Sequence, residues 1–294
     1  MFRKSVLPFV VNVTSPDAPV PPMNAGMKWC AFLLVSVAPA FAQGGVGQVD
    51  AVGVEHPPGL VSAELLPGWV TPEGNRMTAL ALRLEPGWKT YWRSPGDAGV
   101  PPHFDWQGSS NLGQVTMHWP RPETIESGGE RTLGYHDMLV LPIEIAPADA
   151  GGAVDLATTV DFGLCDDICV PVQVRLTAPP AGSAPDPAIQ AALAQVPETS
   201  TARPQCRVEE IEDGMRVTAS FDHQDAPEVA MELQADKVWV SQPELGRQGD
   251  RLTASADFVA ESGKPFALDT NALRLTLIGP DRATEYLGCD TVTD

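Results

Sequence analysis

Positive charge is scarce in this chain: 19 lysines and arginines stand against 38 aspartates and glutamates, a net charge of −19. A surface of that sign repels phosphate backbones and anionic headgroups, which argues against nucleic acid and anionic membrane as partners. Long apolar runs are nearly missing too. The run at residues 29–38 is too short for a spanning helix, and no later stretch reaches the roughly 20 apolar residues that crossing takes. Helix-period runs are few, whereas proline (29) and glycine (26) are plentiful. That balance favours a turn-rich all-β protein. No phosphate-binding loop, nucleophilic triad or HExxH pattern occurs.

The short apolar run has a use of its own. Met27-Lys28, then Trp29 to Ala38, then Ala40-Phe41-Ala42 form the basic start, apolar core and A-x-A pattern of an export signal. The expected product starts at Met27 or Met23, is cut after Ala42, and is exported and periplasmic; residues 1–26 read as an over-extended gene start. Losing residues 1–42 removes Arg3, Lys4, Lys28 and Asp17, leaving 16 positive and 37 negative side chains, a net −21. Cys30 leaves with the signal.

Four cysteines then remain in an oxidising compartment: Cys165, Cys169, Cys206 and Cys289. Four cysteines allow three pairings, and loop entropy helps to rank their roles. A Cys206–Cys289 bridge closes a loop of about 84 residues, worth roughly 4–5 kcal/mol in the chain-entropy account. It makes sense as a structural staple. A Cys165–Cys169 bridge closes about five residues and yields only about 2 kcal/mol before strain. A weak staple invites a redox role.

The pair lies in Asp161-Phe162-Gly163-Leu164-Cys165-Asp166-Asp167-Ile168-Cys169-Val170-Pro171, between two alternating runs. Leu156, Thr158, Val160 and Phe162 share one face, and Val170, Val172, Val174 and Leu176 share another. The cysteines therefore flank a tight reversal, either a hairpin tip or one helical turn, with Asp166 and Asp167 as turn formers.

Further strand-like pieces run from Met77 to Leu84, at Phe104-Asp105-Trp106, Val115 to Trp119 and Met138 to Ile145. Residues 43–178 read as one β-rich domain, an immunoglobulin-like sandwich. Residues 179–204 read as a Pro-rich linker with a short helix over Ala188–Gln195, capped by Asp186-Pro187. Strands return over Met215–Phe221, Lys237–Val240, Arg251–Phe258 and Leu273–Ile278, so residues 205–294 read as a second, smaller sandwich.

Attack on a disulfide requires a thiolate, which cations and helix N-termini favour. Here the near neighbours are Asp161, Asp166 and Asp167, and no Lys, Arg or His occurs from Val154 to Val174. Adjacent carboxylates disfavour the thiolate. The pair is therefore expected to be attacked while oxidised by an incoming thiolate, and to need a partner for discharge. A local structural bridge is the plainer alternative. Metal is another: Cys165 and Cys169 suit Cu(I), but supply half of a structural zinc set, and His103, His118 and His136 show no ligand spacing. Of the aromatics, Trp88, Tyr91, Trp92 and Trp106 serve either as a cover over a site or as core.

The order Gly87-Trp88-Lys89-Thr90-Tyr91-Trp92-Arg93-Ser94-Pro95-Gly96-Asp97-Ala98-Gly99-Val100-Pro101-Pro102, Phe104-Asp105-Trp106, Trp119-Pro120, Gly134-Tyr135 and Cys165-Asp166-Asp167-Ile168-Cys169-Val170-Pro171 resembles the periplasmic N-terminal region of the DsbD/ScsB thiol–disulfide interchange proteins. The ScsB branch, linked to copper tolerance, is the nearer of the two because of the narrow cysteine spacing. The resemblance implies an immunoglobulin-like domain whose cysteine pair passes electrons from a membrane-embedded reductant to thioredoxin-like periplasmic proteins. That is a thiol:disulfide oxidoreductase of the protein-disulfide reductase type, working without a cofactor. Cys165 and Cys169 are then the redox pair, with Cys169 favoured for the mixed disulfide, and Tyr91 and Trp92 open a candidate cover. Family members also carry a membrane domain and a C-terminal thioredoxin domain, which these residues do not contain. The chain then works with a separate membrane carrier, is cut from a longer gene, or has left the relay. The alternative function is a copper-binding, copper-tolerance module on the same two thiols.

Overall fold

A computed structural model describes residues 57–292, apart from 128, 223, 225 and 236. The signal, its cleavage after Ala42, and Cys30 lie outside the described residues. The described residues belong to one compact unit.

Apolar alternation becomes ten strands in the first part of the chain: β1 (Leu60–Val70), β2 (Arg76–Leu84), β3 (Lys89–Tyr91), β4 (His103–Asp105), β5 (Leu112–Met117), β6 (Glu123–Ser127), β7 (Glu130–His136), β8 (Met138–Pro147), β9 (Ala157–Cys165) and β10 (Cys169–Thr177). They form two sheets, ordered β1-β2-β8-β5 and β10-β9-β3-β7-β6, with β4 on the edge of β9. Between the sheets lie Leu80, Leu82, Leu141, Ile143, Val160, Phe162, Leu164 and Trp92, all nearly or fully buried. Strand β2 is covered on both faces. Its second face, with Met77 and Ala79, packs against Ile189 of helix α1 (Pro187–Leu193). Asp186 caps that helix by accepting from the amides of Ala188 and Ile189 at 2.8 and 3.3 Å. The helix expected over Ala188–Gln195 is thus seated on the first sandwich through its one fully buried side chain.

Ten more strands follow: β11 (Glu198–Ser200), β12 (Gln205–Ile211), β13 (Gly214–Asp222), β14 (Glu228–Leu233), β15 (Val238–Val240), β16 (Glu244–Gln248), β17 (Arg251–Ala260), β18 (Leu273–Ile278), β19 (Ala283–Leu287) and β20 (Asp290–Thr291). Their sheets run β11-β19-β18-β14 and β15-β17-β13-β12-β20, with β16 also on β17. The fold is all-β, with immunoglobulin-like sandwiches in succession. Alternation divides the faces of the β14–β18–β19 sheet. Val229, Met231, Leu273, Leu275, Leu277 and Tyr286 enter the second core. Ala230, Ile278 and Ala283, on the opposite face, join the core cluster of the first sandwich. Cys206 and Cys289 are bonded within the second core, 5.8 Å apart at Cα and each at most 1% exposed.

Candidate redox site

The site is built on the β9–β10 hairpin. Cys165 ends β9, Cys169 begins β10, and the two are direct partners in the antiparallel register. Asp166, Asp167 and Ile168 make the tip, where the Asp166 amide donates to the Ile168 carbonyl at 3.1 Å. Of the two reversals open to the sequence, the chain uses the hairpin. The cysteines are bonded, with Cα atoms 4.1 Å apart. Their surroundings differ: Cys165 is 0% exposed, whereas Cys169 is exposed, next to an Ile168 that is 63% exposed.

Period-2 geometry decides which side chains meet the sulfurs. Val160, Phe162 and Leu164 point into the core, so Asp161, Gly163 and Cys165 occupy the outer face of β9. Across the ladder Lys89 pairs with Cys165 and Thr90 with Leu164, so Lys89 and Tyr91 share that outer face. The Tyr91 hydroxyl lies 2.9 Å from Cys165 Sγ and 3.6 Å from Cys169 Sγ. Disulfide sulfurs carry no proton, so the phenol donates. Burial pushes the Tyr91 phenol above its ordinary pKa, and the negative charge of Glu130 adds to the rise. The hydroxyl therefore keeps its proton throughout the neutral range.

Two glycines make room for that ring. A Cβ on Gly163 would lie 3.0 Å from Tyr91 Cε2, and one on Gly99 would lie 3.0 Å from Tyr91 Cδ1 and 2.3 Å from Pro95 Cβ. Tyr91 is thus held between β9 beneath it and the 92–102 connection beside it. That connection supplies Ala98, Val100 and Pro101 to a cleft of about 510 Å³ that also includes both cysteines, Tyr91, His103, Phe162, Val172 and Gln173. Asp161, on the cleft wall, accepts from the Gln173 amide at 2.7 Å. The cleft is largely apolar, with the disulfide in its wall. A second cleft of about 300 Å³, between α1 and β8, has no cysteine in its lining.

Tyr91 and Trp92 part company here. Trp92 points to the opposite face, is 0% exposed in the core, and stacks beneath Arg93 at 4.2 Å. Trp92 is therefore core and does not cover the disulfide; alternation along a strand is the signal that separates the two neighbours. Trp88 and Trp106 are partly buried against the same core.

Sequence reasoning missed Lys89. It is 76 residues from Cys165, yet it sits directly across the ladder at 6% exposure, a cation that local sequence did not reveal. His136, its partner on the other side in β7, is bound to Glu123 at 2.9 Å. Of the histidines weighed as ligands, His103 lines the cleft, while His118 bonds Glu144 at 3.0 Å on the other sheet. Among the described residues no group of three or more His, Cys, Asp or Glu is arranged to hold a metal.

Residues 62–181 match the family described as thiol:disulfide interchange protein DsbD, N-terminal. The chain is also similar to the crystal structure of the N-terminal periplasmic domain of ScsB from Proteus mirabilis. The TM-score is 0.58 at 23% identity, over 79% of this chain and 92% of that one. No curated protein matches the chain.

Proposed function

We propose, from the match of residues 62–181 to the DsbD N-terminal family, that the chain is a thiol–disulfide interchange module that works in the periplasm. There it passes electron pairs from a membrane-embedded thiol reductant to thioredoxin-like proteins through Cys165 and Cys169. The observation that carries this reading is the asymmetry of the disulfide: an exposed Cys169 bonded to a buried Cys165 whose sulfur accepts from Tyr91. Cys206 and Cys289, buried in the second core, serve as a structural staple. Among the described residues no helix is long and apolar enough to cross a membrane.

The exchange proceeds through a mixed disulfide. A thiolate of a reduced dithiol partner attacks Cys169 Sγ. The new partner–Cys169 bond forms as the Cys165–Cys169 bond breaks, and Cys165 departs with the electron pair. Tyr91 donates to the charge that appears on Cys165, in a site where an uncompensated anion is costly. Lys89, opposite, adds a cation of the right sign. The partner's second thiolate then attacks the partner sulfur of the mixed disulfide, closing the partner's disulfide and releasing Cys169. Two electrons have moved to the module, and two protons are taken up as its thiolates become thiols. Discharge is the reverse: Cys169 attacks an oxidised partner and Cys165 resolves the mixed bond. The apolar cleft receives the chain flanking the partner's cysteine.

Single-cysteine variants test the assignment. With Cys165→Ser, the remaining Cys169 should accumulate a mixed disulfide with a thioredoxin-fold probe that lacks its resolving cysteine and is supplied as an activated disulfide. With Cys169→Ser, the buried Cys165 should not. Equal trapping at both sulfurs, or at neither, contradicts the mechanism.

A further inference from the structure

The connection from Trp92 to Pro102 forms one wall of the disulfide cleft, yet its middle is not held by the first sandwich alone. On the near side, the Trp92 amide donates to the Leu133 carbonyl and the Leu133 amide to the Pro95 carbonyl, both at 3.0 Å. On the far side, two of its residues reach the second sandwich. Arg93 donates from Nε and Nη2 to the Glu232 carboxylate at 3.0–3.1 Å, and from Nη2 to Glu285 at 2.7 Å. Its side chain is only 13% exposed, and those of Glu232 and Glu285 are 18% and 15% exposed. Asp97 accepts from the backbone amide of Gln242 at 3.2 Å. Bidentate, partly desolvated guanidinium–carboxylate contacts fix geometry as well as supply energy.

Between those two tethers and the cleft stands Gly99, whose backbone lies so close to the Tyr91 ring that even a methyl group would crowd it. We infer that the second sandwich is part of the redox site. Through Arg93 and Asp97 it holds the 92–102 connection against Tyr91, and so keeps the Tyr91 hydroxyl on Cys165 Sγ. Arg93, Asp97, Glu232 and Glu285 are positioning residues, since none of them touches the sulfurs. The inference rests on the interchange reading of Cys165 and Cys169, and adds to it a device that ties reactivity to the contact between the sandwiches. If Arg93 served only to join the two sandwiches, its loss would lower stability and leave the sulfur chemistry unchanged.

The test uses the oxidised full chain and measures how fast dithiothreitol opens the Cys165–Cys169 bond, read on that peptide after thiol trapping. Glu232→Ala/Glu285→Ala, made wholly in the second sandwich, should slow opening about two- to fivefold, the worth of part of one hydrogen bond. Glu232→Gln/Glu285→Gln, which keeps acceptors for Arg93, should recover much of the parent rate. Asp97→Ala, at an exposed position with one hydrogen bond, tests the second tether without threatening the fold, and Asp97→Asn should rescue it. In a Tyr91→Phe background neither Ala change should slow opening further, because the hydroxyl through which they act is gone. Unchanged rates in folded Ala variants, or the same slowing with and without the hydroxyl, overturn the inference and leave the interchange reading standing. A parent disulfide inert to dithiothreitol overturns both.

Discussion

Exposure separates the two sulfurs, and Tyr91 separates them further: Cys165 is 0% exposed with a phenol at 2.9 Å, while Cys169 faces solvent. Tyr91→Phe keeps the ring that fills the space between Gly99 and Gly163 and removes only the donor. It should slow opening of the disulfide by dithiothreitol about three- to tenfold, the range of one net hydrogen bond, with an unchanged melting temperature. Because burial raises the phenol's pKa, the parent-to-variant ratio should stay level from neutral into mildly alkaline pH. A ratio that collapses near neutrality would mean that the hydroxyl is not the donor. Lys89→Met should move the pH midpoint for alkylation of reduced Cys165 upward, since a cation favours the thiolate and its loss removes that help. The carboxylates at Asp161, Asp166 and Asp167 are legible in the sequence; the cation that opposes them is not, because it arrives from a strand 76 residues away.

Among elements, the β9–β10 hairpin was the most readable, since both strands alternate cleanly and a turn-forming Asp-Asp pair lies between them. What alternation could not settle was whether the reversal was a hairpin or a helical turn, because so few residues carry no period. The same rule, applied to β3, would have sent Tyr91 and Trp92 to opposite faces. Strand β2, legible as a strand from Met77 to Leu84, is nearly all buried, because α1 covers the face that carries Met77 and Ala79. Gly163 belongs to this scale too. Gly163→Ala places a methyl 3.0 Å from the Tyr91 ring, on a strand that cannot yield without losing its ladder. The variant should fold but open its disulfide more slowly than the parent, and adding Tyr91→Phe should erase most of that difference. A Gly163→Ala protein with the parent rate would show that ring position does not matter.

In the whole molecule the two sandwiches meet across an acidic sheet face, where Glu228, Glu232 and Glu285 receive Arg131 and Arg93. No sequence pattern joins Arg93 to Glu232, 139 residues on, so this contact was invisible until the sheets were placed. Burial raises the Glu228 pKa, and the positive charge of Arg131 only partly offsets it. A carboxyl whose pKa rises on folding stabilises less as pH climbs from its unfolded to its folded value, because the folded state holds the proton more tightly. Glu228→Gln should therefore raise the melting temperature at neutral pH, and the gain should fade in acid, where the parent is protonated as well. A gain that grew with acidity would contradict that sign. Replacing Cys206 and Cys289 by alanine should lower stability by roughly 4–5 kcal/mol, while Cys165–Cys169 still opens in the folded protein.

The measurement that bears most directly on these claims is the reduction potential of each disulfide in the same sample. It is obtained by thiol trapping and peptide mass across a graded thiol buffer. The interchange account predicts that Cys165–Cys169 titrates well above about −300 mV, the region of structural bridges, while Cys206–Cys289 stays oxidised. If both bonds resist reduction together, Cys165–Cys169 is a second staple and the exchange mechanism is wrong.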